Sequence, residues 1–309
     1  KAERMAEAKR RKTGVPFESF PSWMDRDVSS IEKACSAMND AKFRRLFDVP
    51  PRHMDAPVSF DVLCSVSDIF IAGRYLKFSR KVSQSPWRIE PEDGEESKVI
   101  TSVEELVTPT FKSALGAEQV TLVPGGREDV DVRMLGTGRP FVLRCSGSKK
   151  VPARVNRELL DKLQEEVNRT AKGLVKVVDL QNSGRERLDW LKDVEGQKRK
   201  TYACVLWFER TPTSEDVERL NAMGSFDVVQ KTPLRVFHRR SAADRKKHVY
   251  GVRARALRDS YLAAEIDAEA GTYIKELVHG DLGRTNPSFR SIFGCTVDIV
   301  QLDVIRIHM

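Results

Sequence analysis

Apolar residues recur at two spacings along the chain. In RVNRELLDKLQEEVNRTAKG, Val155, Leu159, Leu160, Leu163 and Val167 share one stripe, which predicts an amphipathic helix with a stop at Gly173. TSEDVERLNAMGSFDVV opens on an S/T-x-x-D/E start signal and predicts another helix. GTYIKELVHGDLG opens on Gly271 and predicts a third. KVVDLQ, KTYACVLWFE and the closing TVDIVQLDVIRIHM read as strands, and YLAAEIDAEA as a strand or short helix. VSFDVLCSVSDIFIAGRYLKFSR is strand-like with a break at Gly73. Helices and strands are interspersed without a regular βαβ period, so the pattern predicts an α+β fold with a mainly antiparallel sheet. There is no internal repeat.

Residues 1–56 have a different texture. KAERMAEAKRRKTG reads as a short charged helix that breaks at Gly14-Val15-Pro16. DVSSIEKACSAMNDAKFRRLF carries a helix start at Ser29-Ser30, with Ile31, Ala34, Cys35, Met38 and Ala41 at helical spacing. DVPPRHMDAP then punctuates the chain. The expected organisation is a partly helical N-terminal extension or linker over 1–56 and a folded domain over 57–309.

Composition narrows the partners. Of 309 residues, 40% are apolar, enough for a sizeable core. Lys and Arg number 53 against 45 Asp and Glu, a formal charge of +8, which favours a polyanionic partner. Cys35, Cys64, Cys145, Cys204 and Cys295 are far apart and form no C-x-x-C pair. That spacing argues against a zinc site and a disulfide framework, and predicts a reducing, intracellular compartment, cytoplasm or nucleus before an organelle. No metal is expected, since the five histidines show no ligand spacing either. No apolar run approaches the roughly 18 residues of a membrane span, so no membrane partner is expected. No signal peptide is recognised.

Six segments carry candidate chemistry. In VPGGREDVDVRMLGTGRPF the pair Gly125-Gly126 supplies a tight turn. If a strand follows, Asp129, Asp131 and Arg133 share one face and Val130, Val132 and Met134 the other. The plain alternative is a solvated strand face with paired charges. In EAGTYIKELVHGDLG, Lys275 either faces water or stands against a carboxylate and holds it ionised. GQKRKTYACVLWF puts Lys198, Arg199 and Lys200 before Tyr202, a pattern suited to phosphate and a flipped base, or to a basic loop and a core tyrosine. QKTPLRVFHRR and ADRKKHVYGVRARALR are positive over a long run, with Asp244 the lone opposing charge before Asp259, which favours a phosphate-tracking surface. IAGRYLKFSRKVSQSPW interleaves Arg74, Lys77, Arg80 and Lys81 with Tyr75, Phe78 and Trp87, or else is a snorkelling edge strand.

Taken in order over about residues 57–309, AGRYLKFSRKVSQSPW, GGREDVDVRMLGTGRPF, KTYACVLW, QKTPLRVFHRR, AGTYIKELVHGDLGRTNPS and TVDIVQLDV resemble the Pus-ten family of tRNA pseudouridine synthases. GTYIKELVHGDLG is also similar to the related TruB-type motif, which carries Arg where this chain has Lys275. The resemblance implies a pseudouridine synthase fold, two lobes around a mainly antiparallel mixed sheet with a central RNA-binding cleft. It implies isomerisation of uridine to pseudouridine without cofactor or metal, on the TΨC arm of tRNA. It places the catalytic aspartate on Asp129, the stacking tyrosine on Tyr202 and the cation of the last motif on Lys275. Arg127 is similar to an arginine that some relatives insert where the base leaves the stack. The RNA-binding set then comprises Arg127, Arg74, Lys77, Arg80, Lys200, Arg235, His238, Arg239 and Arg240. Asp131 is expected to be structural, paired with Arg133. Family members usually carry a THUMP-containing N-terminal domain, often with paired cysteines, and this chain departs from that pattern. Two other readings stand beside this one: a catalytically idle RNA-binding or assembly factor that keeps the fold, and a metal-dependent nuclease built on Asp129 and Asp131.

Overall fold

The computed structural model of the chain describes residues 28–49, 66–88, 99–150, 155–197, 199–237 and 240–308. The chain divides into two compact units, Lys1–Cys64 and Ser65–Met309. In the first, the described residues form α1 (Val28–Ser36) and α2 (Asp40–Leu46). The Ser29-Ser30 start signal falls at the head of α1. Asn39 caps α2, its side chain accepting the Lys42 N–H at 2.9 Å. The charged helix expected over 1–14, its break at Gly14-Val15-Pro16 and the expected boundary after residue 56 lie outside the described residues.

The second unit begins with β1 (Ile69–Lys77), a small antiparallel pair of β2 (Trp87–Arg88) and β3 (Val99–Ile100), then α3 (Val103–Leu115), β4 (Gln119–Pro124) and β5 (Arg133–Ser146). α4 (Arg157–Thr170), β6 (Val175–Ser183), α5 (Glu186–Gln197), β7 (Lys200–Phe208) and α6 (Ser214–Ala222) follow. β8 (Phe226–Lys231), β9 (Asp244–Ala256), β10 (Tyr261–Ala268), α7 (Ile274–His279), β11 (Thr285–Asn286), α8 (Phe289–Phe293) and β12 (Val297–Ile307) complete it.

A ten-stranded sheet runs in the order β11-β8-β9-β10-β7-β12-β5-β1-β6, with β4 paired to β5. Its pairings are antiparallel except for β5–β12, where Arg133 and Met134 lie parallel to Asp303 and Val304. The α+β, mainly antiparallel expectation therefore holds. At this junction Gly136, with φ +62°, lies against β12: a Cβ there would stand 1.8 Å from the Ile305 carbonyl oxygen. Only glycine lets the two strands approach so closely.

The helices follow from their sequence signals. α4 buries Leu160, Leu163 and Val167, and Asn156 caps it by accepting the Leu159 N–H at 3.0 Å. Thr213 and Asp216 close a capping box at the head of α6, as the start signal predicts. β7 turns Tyr202, Cys204, Leu206 and Phe208 inward, at the strand period of two. Buried Cys145 and Cys204 are free thiols, both pushed up to about 12 by burial. YLAAEIDAEA resolves as strand β10.

Gly73 does not break β1. It sits mid-strand at a bulge against β6, where a Cβ would meet Leu180 at 2.6 Å. Among the described residues no helix is long and apolar enough to cross a membrane.

Candidate active site

Asp129 lies in the link between β4 and β5. The expected strand over Asp129–Arg133 is absent: Val132 N donates to the Asp129 carbonyl at 3.1 Å, closing a turn, and β5 starts only at Arg133. The charged residues therefore do not alternate across a sheet. Each goes its own way.

Glu128 points inward. Its Oε2 accepts from Arg139 Nε at 2.6 Å and its Oε1 from the Tyr75 hydroxyl at 2.8 Å. Gln84 Nε2 donates to the same hydroxyl and to the Gly126 carbonyl, both at 2.8 Å. Arg139 Nη1 donates to the Gly125 carbonyl at 3.1 Å. Burial and Glu128 together push the Tyr75 phenol well above its ordinary range. Gly126, at φ +103°, makes the turn into this network.

Two cations hold the backbone of the next residues. Lys77 is fully buried, and its ammonium donates to the carbonyls of Val82 at 2.8 Å, Val130 at 2.8 Å and Asp129 at 3.2 Å. Burial lowers it to about 8, although Glu128, Asp131 and Asp129 oppose the shift. Arg80 Nη1 donates to the carbonyls of Asp131 and Leu302, both at 2.8 Å, and Arg80 Nη2 pairs with Asp303 at 2.7 Å. Arg133 Nε also donates to Asp303, at 2.9 Å. The expected Asp131–Arg133 pair is therefore not formed. Arg133 leaves the turn along β5, and the parallel register brings Asp303 to it.

So fixed, Asp129 faces a cavity of about 630 Å³. Its Oδ2 accepts from Arg235 Nη1 at 2.8 Å and lies 3.6 Å from Lys275 Nζ. Arg235 reaches back to the buried carboxylate of Glu276, Nε to Oε1 at 2.8 Å. Lys275 Nζ sits closer to Asp131, at 2.7 and 2.9 Å from its two oxygens. Partial burial would raise Asp131, but the hydrogen bond and charge of Lys275 outweigh it and hold the carboxyl below its usual range. Tyr202 is buried at the wall of the same cavity, and burial pushes its phenol up to about 12. The cavity thus brings Asp129, Tyr202 and Lys275 together from β4–β5, β7 and α7.

The nine residues assigned to RNA contact separate into groups. Arg127, Lys200, Arg235 and Arg240 line the cavity. Arg74 does not: it is half-buried, donates to the Gly138 carbonyl at 3.1 Å, and lines a separate cavity of about 170 Å³ beside Trp190. Lys77 does not face RNA, because an ammonium enclosed by three carbonyls cannot meet a phosphate. Arg80 is likewise committed to carbonyls and Asp303. Arg235 has a carboxylate on each side. His238, Arg239 and Lys198 lie outside the described residues.

The pattern of charges alone did not single out Glu128, Arg139, Gln84 or Glu276, which build the site from behind. A buried Arg on a strand that also carries Gly136 and Gly138 has no periodic signature. Among the described residues no group of three or more His, Cys, Asp or Glu is placed to hold a metal ion.

An α+β domain whose ion-paired carboxylate opens on a basic cavity is the class this geometry defines. A family model described as "Pus10, C-terminal" matches residues 70–308. The chain is 38% identical over 276 residues to the tRNA pseudouridine synthase Pus10 of Xenopus laevis, covering 89% of this chain and 52% of that protein. It is 36% identical over 276 residues to that of Homo sapiens, covering 89% and 51%. With that of Korarchaeum cryptofilum it shares 35% over 256 residues, covering 80% and 67%. The chain spans about half the length of the two vertebrate relatives. It belongs to the Pus10 family. A solved Cbf5-Nop10-Gar1 complex aligns at TM-score 0.38 and 15% identity over 76% of this chain and 58% of the matched chain, too distant to add to the assignment.

Proposed function

We propose that this chain is the catalytic region of a tRNA pseudouridine synthase, acting on TΨC-arm uridines. The observation that carries the reading is Asp129, held by Arg235 and near Lys275, at a basic cavity walled by Tyr202. The family membership and the relatives' printed activity support it. In this reading the uridine C1′–N1 bond breaks and the base is rejoined to the ribose through C5. The base must first leave its stack, at a few kcal/mol. Stacking on Tyr202 offsets about 1–3 kcal/mol of that. Arg127, exposed at the cavity rim, fills the space the base vacates. Asp129 supplies the carboxylate that acts as nucleophile or base, with Arg235 and Lys275 beside it. Arg127, Lys200 and Arg240 supply charge for the phosphates. The isolated thiols fit a reducing compartment.

The test is release of tritium from C5 of uridine in an unmodified tRNA transcript, by wild type and by Asp129→Asn. Release by wild type alone supports isomerisation and its carboxylate. Release by both variants assigns the carboxylate elsewhere. Tight tRNA binding with no release by either favours an idle RNA-binding factor.

A further inference from the structure

We propose that Arg235 is the positioning residue for Asp129, and that the buried Glu276 makes it one; this rests on the isomerase reading above. The guanidinium serves two carboxylates from two edges. Nε and Nη2 reach Glu276 Oε1 and Oε2 at 2.8 and 3.4 Å, while Nη1 donates to Asp129 Oδ2 at 2.8 Å. A guanidinium is planar and its N–H directions are fixed. Seating one edge on Glu276 therefore sets the line along which Asp129 is met. An ammonium is a point charge and cannot fork between the two.

Glu276 is 1% exposed. A carboxylate so deep needs a charged partner, which keeps Arg235 from turning out to a phosphate. Glu276 is itself referenced to the sheet. Buried Gln230 on β8 exchanges two hydrogen bonds, each 2.9 Å, with the Tyr273 backbone at the head of α7. α7 thus governs Asp129 twice, through Lys275 directly and through Glu276 and Arg235. Of the two cations, Arg235 is the nearer to Asp129, because Lys275 leans toward Asp131. The basic run that contains Arg235 reads as a phosphate surface in sequence, yet this member of it faces two carboxylates.

Positioning and phosphate contact separate by experiment on the full chain. Wild type, Arg235→Lys and Glu276→Gln are compared for single-turnover tritium release at saturating tRNA transcript and for transcript Kd. Positioning predicts a rate loss of about 10- to 100-fold in both variants, with Kd within about twofold, and no rescue by Lys. A near-wild-type rate in Arg235→Lys, or a weaker Kd with the rate intact, overturns the proposal. Arg235→Lys keeps a cation against Glu276, so it carries the test where Glu276→Gln does not fold. A second readout needs no catalysis: a double-mutant cycle between Asp129→Asn and Arg235→Lys by urea unfolding. Non-additive effects are expected, and additive ones overturn the proposal. If wild type releases no tritium, the isomerase reading fails on its own, and the cycle still decides whether Arg235 holds Asp129.

Discussion

Glu128 and Asp129 are adjacent in the chain and opposite in environment. Glu128 forms a 2.6 Å ion pair with Arg139 in which both side chains are 1% exposed, whereas the Asp129 side chain is 31% exposed and opens on the cavity. One carboxylate is used to hold the turn, so that the next can be presented from it.

Breaking the Glu128–Arg139 pair from one side leaves a buried charge without its partner. Glu128→Gln or Arg139→Met is expected to destabilise the fold by about 3–5 kcal/mol. Urea unfolding measures this, and a change under about 1 kcal/mol would contradict the role given to the pair.

Lys77 gives a pH dependence of definite sign. Burial lowers it from 10.5 to about 8. Between those values the unfolded chain holds a proton that the folded chain lacks, so this group's contribution to stability rises with pH across that window. The stability difference between wild type and Lys77→Met, followed by thermal unfolding from pH 7.5 to 10.5 as a scan of about this window, should climb in favour of wild type. A flat difference would show that Lys77 does not titrate there. The same variant removes two anchors from the Asp129 turn, the bonds to the Asp129 and Val130 carbonyls, so its turnover should fall while its affinity for RNA does not.

Asp129 and Asp131 form an internal control. Asp129→Asn should lower turnover by about 10³-fold or more, with folding intact. Asp131 is 60% exposed and bonded to Lys275, so Asp131→Asn should leave turnover within about tenfold. Tritium release quantifies both. A chelator should leave the wild-type rate unchanged; loss of activity would instead fit the nuclease that pairs Asp129 with Asp131 around a metal.

The salt dependence of tRNA binding distinguishes surface cations from buried ones. Arg127→Ala and Arg240→Ala should each weaken binding and reduce the slope of log K against log salt by about 1. Lys77→Met should leave the slope unchanged, because its ammonium is enclosed. A slope change in Lys77→Met equal to that of Arg127→Ala would contradict the buried placement.

Gly136→Ala tests the β5–β12 junction. The added Cβ would meet the Ile305 carbonyl at 1.8 Å in a left-handed backbone. A loss of more than about 2 kcal/mol is expected, read from the urea midpoint.

Much of the fold was legible in local pattern. α4 shows its apolar stripe, α6 its capping box and β7 its alternation, because each depends on residues within a few positions of one another. The turn at Asp129 was not legible as a turn. Val130, Val132 and Met134 alternate as a strand would, but the carbonyls of Asp129, Val130 and Asp131 are taken by Lys77 and Arg80, more than 50 residues upstream. The carboxylate nearest Arg133 in sequence is Asp131, but the parallel register of β12 brings Asp303 to it instead.

By itself the sequence determined an α+β chain, its helix starts, a basic surface and, through its motifs, the candidates Asp129, Tyr202 and Lys275. Which cation serves which carboxylate was decided only by the tertiary structure. Lys77, Arg80 and Arg235 have the same charge as Arg127 and Arg240, and sequence patterning reads charge. Their roles depend on burial and chiefly on partners far away in the chain, 41 positions between Arg235 and Glu276 and 222 between Arg80 and Leu302. At such distances it is the folded sheet, and not the spacing of residues, that brings charges together.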